Sequence, residues 1–328
     1  MNQKEIHAQQ MAAHDKCIGG SDVSGILGLN KWKTPYDVFI SKTQPVDHDA
    51  ASEAAYWGST LEEIIAKEFQ KRTGLKIQRV NKTIRIGEGG WQGANIDRAI
   101  VNTDIAGTVR FKDDRLTTDA ILEVKTCNAF AAHEWGPSQL DEIKTGKVVT
   151  AHGIPLAYEC QIQWYMGITK TATCYVAVLI GGQDFRVYKV PFNEMIYKDI
   201  QRICQAFWQN NVLAKVAPEP ANAEEVLKQF PISNGDTAEA DNKVSSIISS
   251  YRNLAGQIKQ LTEEKDDLQS QIIAAIGEKD GLTIAGNLAC TYRTTFTNRF
   301  DTAGFKKAHP DLYSKYTKQS SSRRFLMK

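Results

Sequence analysis

The spacing of apolar and polar residues divides the chain into two regions. Over the first part, short apolar runs alternate with amphipathic stretches at helical spacing, which is the pattern of an α/β fold. The amphipathic stretches predict helices over 54–73, 154–168 and 193–212, the first ended by Gly74 and the second opened by Pro155. The apolar and alternating runs predict strands over 76–86, 91–101, 121–126, 173–180 and 185–190, the last two forming a hairpin.

The last part of the chain has a heptad pattern that follows a polar linker. Residues 217–241 are rich in Pro, Ala, Glu, Asn and Gly, which is typical of a linker. Apolar residues then recur at alternating intervals of three and four from Val244 to Ile272, interrupted at Lys265, and a small hairpin is predicted over 282–292. The heptads predict a helix that packs against another helix or folds back on itself. We therefore expect a domain over 1–216, a linker over 217–241, and a helical and basic extension over 242–328.

Composition narrows the functional classes. The 328 residues carry a formal net charge of +2 with a pI near 8.1, so overall charge favours no particular partner. The six cysteines are scattered and include no Cys-x-x-Cys pair, which indicates reduced thiols rather than a zinc site. The N-terminus lacks a signal-peptide apolar run, and no stretch approaches the roughly 18 apolar residues of a membrane span. We expect a cytoplasmic protein that does not contact membranes.

The candidate chemistry is concentrated in Ile121-Leu122-Glu123-Val124-Lys125-Thr126. Side chains alternate faces along a strand, so Leu122 and Val124 point into a core while Glu123 and Lys125 stand together on the other face. Charges on a core strand are costly unless they are paired or bind a metal. A second Glu-x-Lys, at residues 263–265, lies in a polar helical run and is interpreted as a solvated face.

Two further acids can join this pair. Glu62 lies near the start of the 54–73 helix, where the helix dipole also favours an acid, and Asp97 lies on the preceding predicted strand. Two or three carboxylates suit Mg²⁺ or Mn²⁺, and Lys125 beside them can orient a water or stabilise charge on a phosphate. This set fits metal-assisted hydrolysis of a phosphodiester. A structural cluster of ion pairs is the alternative interpretation.

A glycine-rich turn near the N-terminus leads into a short helix. Ser21 or Asp22 is the predicted N-cap, and Gly28 ends the helix. Taken alone, the turn is typical of a capped surface helix. Its glycines, free N–H groups and Ser21 hydroxyl also fit an anion site.

Five short motifs, taken together, resemble one family. They are Ile18-Gly19-Gly20-Ser21-Asp22, Trp57-Gly58-Ser59-Thr60-Leu61-Glu62, Gly93-Ala94-Asn95-Ile96-Asp97, Leu122-Glu123-Val124-Lys125-Thr126 and Tyr158-Glu159-Cys160-Gln161-Ile162-Gln163. Their order and spacing resemble the YqaJ-like viral recombinases, which group with phage lambda exonuclease among the PD-(D/E)xK nucleases. The resemblance covers about 14–212 and implies a restriction-endonuclease-like core, in which helices flank a central mixed sheet.

The resemblance implies a Mg²⁺-dependent exonuclease, with Mn²⁺ as a substitute. Such enzymes digest one strand of linear double-stranded DNA from the 5′ end and leave a 3′ overhang. Asp97 and Glu123 would ligate the metal together with the Val124 carbonyl, and Lys125 would position the attacking water. Glu62 would be the helix-borne acid, with its neighbour at position 63 as the alternative.

The same resemblance implies residues that hold the DNA end. Ser21 matches a serine that holds the 5′-phosphate, and Gln161 matches a Tyr-x-x-Gln helix motif beginning at Tyr158, which touches the active site and the terminal nucleotide. The family usually has an arginine seven residues before the serine. Here His14 occupies that position, with Lys16 nearby.

Partners and alternatives follow from the resemblance. Relatives assemble as ring-shaped homo-trimers and hand their 3′ overhangs to a single-strand annealing protein. Iron–sulfur relatives carry a C-terminal cysteine cluster, and because this chain has only Cys290 there we expect no cluster. Two other hypotheses are an endonuclease of the same fold, cutting restriction sites or junctions, and a non-catalytic scaffold that binds DNA ends through the heptad helix and a basic tail. The basic residues of this tail are Arg299, Lys306, Lys307, Lys315, Lys318, Arg323, Arg324 and Lys328.

Overall fold

The computed structural model describes residues 16–44, 52–147, 153–319 and 322–327. The chain forms two compact units, Met1–Val226 and Leu227–Lys328. Within the described ranges, no helix is long and apolar enough to cross a membrane.

A five-stranded mixed sheet forms the centre of the first unit. Its strand order is β1-β4-β7-β8-β9, and only β7 and β8 run parallel among the neighbouring pairs. The five strands are β1 (Ile77–Arg79), β4 (Arg98–Ile100), β7 (Ala120–Cys127), β8 (Thr173–Ile180) and β9 (Asp184–Pro191). Two small antiparallel pairs accompany them: β2 (Ile84–Ile86) with β3 (Gln92–Ala94), and β5 (Phe111–Lys112) with β6 (Arg115–Leu116).

Helices flank this sheet. Three of them, α3 (Glu53–Thr73), α4 (Leu140–Thr145) and α5 (Leu156–Thr169), contact its strands. The others of the first unit are α1 (Gly20–Ile26), α2 (Pro35–Thr43) and α6 (Glu194–Phe207), and α7 (Ala223–Gln229) spans the boundary between the two units. Short 3₁₀ turns cover Glu88–Gly90 and Ala129–Glu134, and a π turn, Trp208–Leu213, extends α6. The predicted fold class, a mixed sheet flanked by helices, is confirmed.

Strand β7 is covered on both faces, which explains its nearly continuous apolar sequence. Leu122 and Val124 pack with Ile65 and Phe69 of α3 in one apolar cluster. Ile121, on the opposite face, belongs to a second and larger cluster that includes residues of α5. The predicted alternation is therefore present, but the face that carries Glu123 is also buried.

The predicted helices are confirmed apart from one cap. Helix α3 ends at Gly74, whose φ of 75° suits glycine, and α5 begins directly after Pro155. Helix α1 is present, but its N-cap is Gly19 rather than Ser21 or Asp22. Asp22 lies three residues further on, at position N3, and accepts a hydrogen bond from the Gly19 N–H at 2.9 Å. This contact between the N3 side chain and the N-cap N–H is one of the two hydrogen bonds of a capping box.

Two predicted strands are each divided in two. The 76–86 prediction becomes β1 and β2, and the 91–101 prediction becomes β3 and β4, because each half pairs in a different sheet. Glycines with positive φ at positions 87, 89 and 90 turn the chain between β2 and β3. The second break, at residues 95–97, frees Asp97 from a ladder and places it just before β4.

The second unit is built on one long helix. Helix α8 (Asn242–Ile276) runs unbroken for 35 residues from its N-cap Asp241, so the alternative in which the heptads fold back on themselves is wrong. The predicted hairpin is confirmed as β10 (Gly281–Ile284) and β11 (Asn287–Thr291). Two short helices follow, α9 (Thr302–Ala308) and α10 (Pro310–Tyr316).

Candidate active site

Strand β7 holds an acid and a lysine in direct contact. Glu123 is buried, with 3% of its surface exposed, and its Oε1 accepts a hydrogen bond from Lys125 Nζ at 2.6 Å. The same oxygen accepts a second hydrogen bond from Gln161 Nε2 on α5 at 2.8 Å. Glu123 and Lys125 lie on the same face because side chains alternate along a strand, so residues two positions apart point the same way.

Asp97 reaches β7 from the neighbouring strand. Because Arg98 of β4 is paired in register with Leu122, the residue before Arg98 lies beside positions 123 and 124. Asp97 Oδ2 accepts a hydrogen bond from the Val124 N–H at 2.7 Å. The structure therefore brings Asp97, Glu123 and Lys125 together, with the Val124 backbone between them.

Helix α5 closes the cluster from the side. Lys125 Nζ donates to Gln161 Oε1 at 3.2 Å and lies 4.9 Å from the centre of the Tyr158 ring, a cation–π contact. Gln161 Nε2 also donates to the Tyr165 hydroxyl at 3.2 Å. The spacing of three that predicted a shared face for Tyr158 and Gln161 thus places both side chains on Lys125.

The cluster contains more acid than base. Burial, then the charges of Glu123 and Glu62, raise the pKa of Asp97 well above its usual range. Burial also raises the pKa of Glu123, although the Lys125 ammonium opposes it. Burial alone lowers the pKa of Lys125, but the Glu123 and Asp97 carboxylates outweigh it, so the net pKa is raised and the lysine stays charged. One ammonium thus faces two buried carboxyl groups, which a cation would stabilise.

A buried carboxylate oxygen with no hydrogen-bond partner in the described part of the chain also indicates a cation at this site. Glu123 Oε2 is buried, and no hydrogen-bond partner for it exists among the described residues; the same holds for Asn95 Oδ1. A buried oxygen without a partner is costly and is normally explained by a water or an ion. Carboxylate oxygens of this kind fit a hard divalent cation such as Mg²⁺.

The protein would supply only part of such a coordination shell. Across the described ranges, no group of three or more His, Cys, Asp and Glu side chains is arranged to hold a metal ion. Mg²⁺ does not need such a group, because it commonly binds through one or two carboxylates and keeps several waters.

Glu62 and Glu63 belong to an ion-pair cluster. Arg98 holds both acids, with NH1 2.6 Å from Glu62 Oε1 and NH2 2.7 Å from Glu63 Oε2. Arg79 adds a contact to Glu63 at 3.0 Å. The charge of Glu62 still raises the pKa of Asp97, so it lies within electrostatic reach of the site. The ion-pair interpretation therefore holds for this part of the set.

Sequence reasoning missed Arg98 and Arg79. The available signal was an arginine within the apolar run Arg98-Ala99-Ile100, where a buried cation requires acidic partners. The Arg98 side chain is only 3% exposed. It fixes α3 to β4 beside Asp97, so it positions the neighbourhood of the site.

We expect the substitution Arg98→Met to destabilise the protein by about 1–3 kcal/mol, because Glu62 and Glu63 lose their buried partner while keeping some solvent. Urea unfolding measures this change. Arg79→Met is the matched control, since that side chain is 35% exposed and its pairs should contribute less than about 1 kcal/mol. Equal stability of the two variants would contradict the role of Arg98.

The start of α1 lies against the same cluster. Gly20 approaches α5 so closely that a Cβ there would lie 2.8 Å from Gln161 Cγ and would also overlap the Tyr165 ring. Ser21 follows it directly and is exposed. Asp22 is buried and pairs with Lys33 and Lys42, the latter at 2.8 Å. The glycine-rich turn and the acid–lysine cluster therefore form one continuous region.

The remaining predicted phosphate contacts lie just before α1. Lys16 is exposed, and its carbonyl accepts a hydrogen bond from Arg85 NH2 at 2.9 Å. His14 lies outside the described residues.

Comparison with known sequences identifies the family. A family model for the YqaJ-like viral recombinase domain matches residues 10–172, which include every member of the cluster. The uncharacterized protein YqaJ of Bacillus subtilis (strain 168) is 33% identical over 321 residues, spanning 95% of this chain and 91% of the relative. The chain belongs to the YqaJ-like viral recombinase family. The match to YqaJ continues through most of the second unit as well.

Two solved exonuclease structures resemble this YqaJ-like chain at low identity. LHK-Exo, an alkaline exonuclease from Laribacter hongkongensis, has 17% identity and a TM-score of 0.43, over 68% of this chain and 97% of its own. A phage-related exonuclease from Haemophilus somnus 129PT has 11% identity and a TM-score of 0.41, over 61% of this chain and 96% of its own.

Proposed function

We propose that the chain is a metal-dependent deoxyribonuclease that digests linear double-stranded DNA from its 5′ ends. The observation that carries this proposal is the buried set of Asp97, Glu123 and Lys125, in which Glu123 Oε2 has no hydrogen-bond partner among the residues that the structure describes. Membership of a recombinase family and the PD-(D/E)xK sequence pattern support the same function.

Asp97 and Glu123 would hold Mg²⁺, or Mn²⁺ in its place, with the Val124 carbonyl as a further ligand. The bound ion supplies a Lewis acid that activates water and neutralises charge on the phosphate. Lys125 keeps its proton, so it orients the attacking water and stabilises the developing charge. Gln161 holds Lys125 and Glu123 in place through one hydrogen bond to each.

The DNA end would be held at the start of α1. Ser21 is exposed one residue after Gly20, which touches Gln161, so a 5′-phosphate at Ser21 would lie next to the hydrolytic groups. Lys16 would add a positive charge, and His14 is proposed for the same role. Tyr158, beside Lys125, would contact the terminal nucleotide.

The products would be 3′ single-stranded overhangs. An overhang of this kind is the substrate of a single-strand annealing protein, which we propose as the partner in phage or prophage recombination. A homo-trimeric ring, as in the lambda exonuclease group, would keep the enzyme on its DNA.

The direct experiment is digestion of three DNA substrates in Mg²⁺: linear duplex with 5′-phosphates, linear duplex without them, and a closed circle. We expect rapid release of nucleotides from the first, slower release from the second and none from the circle, with EDTA stopping all release. Cutting of the circle would instead indicate an endonuclease of this fold. DNA binding without release in Mg²⁺ or Mn²⁺ would indicate a scaffold.

Metal binding should also raise the melting temperature of the DNA-free protein. A ligand that binds only the folded state stabilises it by about 2.7 kcal/mol at 100 times its Kd. We therefore expect Mg²⁺ to raise the melting temperature by several degrees in differential scanning calorimetry, and Asp97→Asn to abolish most of that shift. An equal shift in the variant, or none in the wild type, would contradict the proposed ligands. The Arg79→Met variant is the control, because its site is intact.

A further inference from the structure

Helix α8 carries a stripe of large apolar side chains that face solvent. Eight such residues lie on it, from 43% exposed at Val244 to 64% exposed at Leu261: Val244, Ile247, Tyr251, Leu254, Ile258, Leu261, Leu268 and Ile272. Soluble monomers rarely expose a contiguous apolar surface of this kind. The 35 residues of α8 extend about 52 Å, so the stripe needs a long partner.

The spacing of the stripe is that of a coiled coil. Its intervals are three and four in strict alternation, including Lys265, which gives five heptads without a break. With Val244 at position a, the a residues are Val244, Tyr251, Ile258, Lys265 and Ile272. The d residues are then Ile247, Leu254, Leu261, Leu268 and Ala275.

The residue types at the a and d positions determine how many helices associate and in which direction they run. β-Branched residues predominate at a and leucine predominates at d, which favours parallel pairs over trimers and tetramers. The single charged residue, Lys265, is at an a position, and one polar residue there sets the register of a pair. The residue before it, Glu264, is at g, so a parallel pair places each Lys265 beside Glu264 of the second copy.

The flanking positions do not oppose such a pair. The g positions are Lys243, Ser250, Gln257, Glu264 and Gln271, and the e positions are Ile248, Ala255, Thr262, Gln269 and Ile276. A parallel arrangement sets each g against the e of the following heptad, and no pairing joins like charges. At the e and g positions, charge therefore permits self-pairing in register.

The rest of the second unit leaves the stripe uncovered. Ile276 is buried and lines a cavity together with Cys290 and Thr291 of β11, and Phe325 packs edge-on against Tyr251, with ring centres 5.6 Å apart. Even so, Tyr251 remains 48% exposed and Ile272 remains 46% exposed. Between these contacts, Leu254, Ile258 and Leu261 remain 58–64% exposed and open to a second chain.

We propose that α8 forms a parallel, in-register, two-stranded coiled coil with α8 of a second copy of this chain. The proposal goes beyond the nuclease function and does not depend on it, because it rests only on the second unit. It joins the chains in pairs whatever further assembly the first unit makes.

Disulfide trapping of the full-length chain tests both pairing and direction. Ile247 is at d near one end of α8, so Ile247→Cys faces its own copy only in a parallel, in-register pair. We expect most of this variant to migrate as a covalent dimer after mild oxidation. Ser249→Cys, exposed on the outer face at position f, is the matched control and should remain monomeric on the gel. The wild type gives the background from Cys127 and Cys290.

Light scattering of the full-length protein provides an independent readout. The double substitution Leu254→Glu/Leu261→Glu should halve the molar mass in solution, from two to one copies or from six to three. Retained helical circular dichroism and a cooperative thermal unfolding transition would show that the variant is folded. An unchanged molar mass, or equal cross-linking of the two cysteine variants, would overturn the proposal. Either result would also be expected if α8 binds a different protein instead of a second copy of this chain.

Discussion

The substitution Asp97→Asn is expected to reduce DNA hydrolysis by about 10³-fold or more while leaving DNA binding intact and the metal-free protein at least as stable. A rate loss of that size corresponds to about 4 kcal/mol of barrier. The reason is that Asp97 is a proposed metal ligand, whereas its backbone contact survives: the asparagine carbonyl can still accept the Val124 N–H. Nucleotide release and gel-shift measurements test the two statements separately.

The expected stability follows from the raised pKa of Asp97. Between the unfolded pKa, about 4, and the higher folded value, the folded state holds a proton that the unfolded state has lost, so stability falls as pH rises through that window. Asparagine removes this loss. Denaturant unfolding in EDTA should therefore show a flatter dependence on pH for the variant than for the wild type. If Asp97→Asn kept the wild-type rate of hydrolysis, the assignment of Asp97 to the active site would be wrong.

The substitution Lys125→Met is expected to cause a comparable loss of hydrolysis but the opposite change in stability. Removal of the ammonium leaves Glu123 buried without its charged partner, a change that typically costs about 3–5 kcal/mol. Nucleotide release gives the first effect and urea unfolding in EDTA gives the second. DNA binding should be retained, because the substituted group is mostly buried.

The two variants control for each other. Both replace one ionisable group of the same buried cluster, so a general effect of disturbing the site would change stability in the same direction. Opposite directions are expected because the cluster has two acids and one base. A Lys125→Met protein as stable as Asp97→Asn would contradict the charge balance described here, whatever its activity.

The sequence predicted the elements better than it predicted how the strands pair. The period of two in residues 121–126 placed Glu123 and Lys125 on one face, and helical spacing placed Tyr158 and Gln161 together, because both signals are local. The division of the 91–101 prediction into β3 and β4 depends on which sheet each half joins. Which sheet each half joins depends on strands that are distant in the chain, so no local sequence pattern indicates it.

Local sequence patterns also did not show which residues pair with the acids. Nothing near Glu62 in the chain indicates that it pairs with a residue 36 positions away. Likewise, a helix N-cap prediction at Ser21 or Asp22 was reasonable from residue type, but Gly19 takes the cap because Asp22 reaches back to its N–H. The pairing of Glu62 is a long-range choice that follows from packing rather than from propensity, whereas the cap is decided by one local side-chain hydrogen bond.

The close approach of Gly20 to Gln161 has a consequence for how far DNA would advance in each cycle. The proposed anchor for the terminal phosphate lies on α1, and α1 touches α5, whose Gln161 holds Glu123 and Lys125 of β7. A close-packed connection of this kind would act as a ruler, so the number of nucleotides removed per event would be set by the protein and not by the substrate's sequence. Uniform fragments from any linear duplex would be its signature.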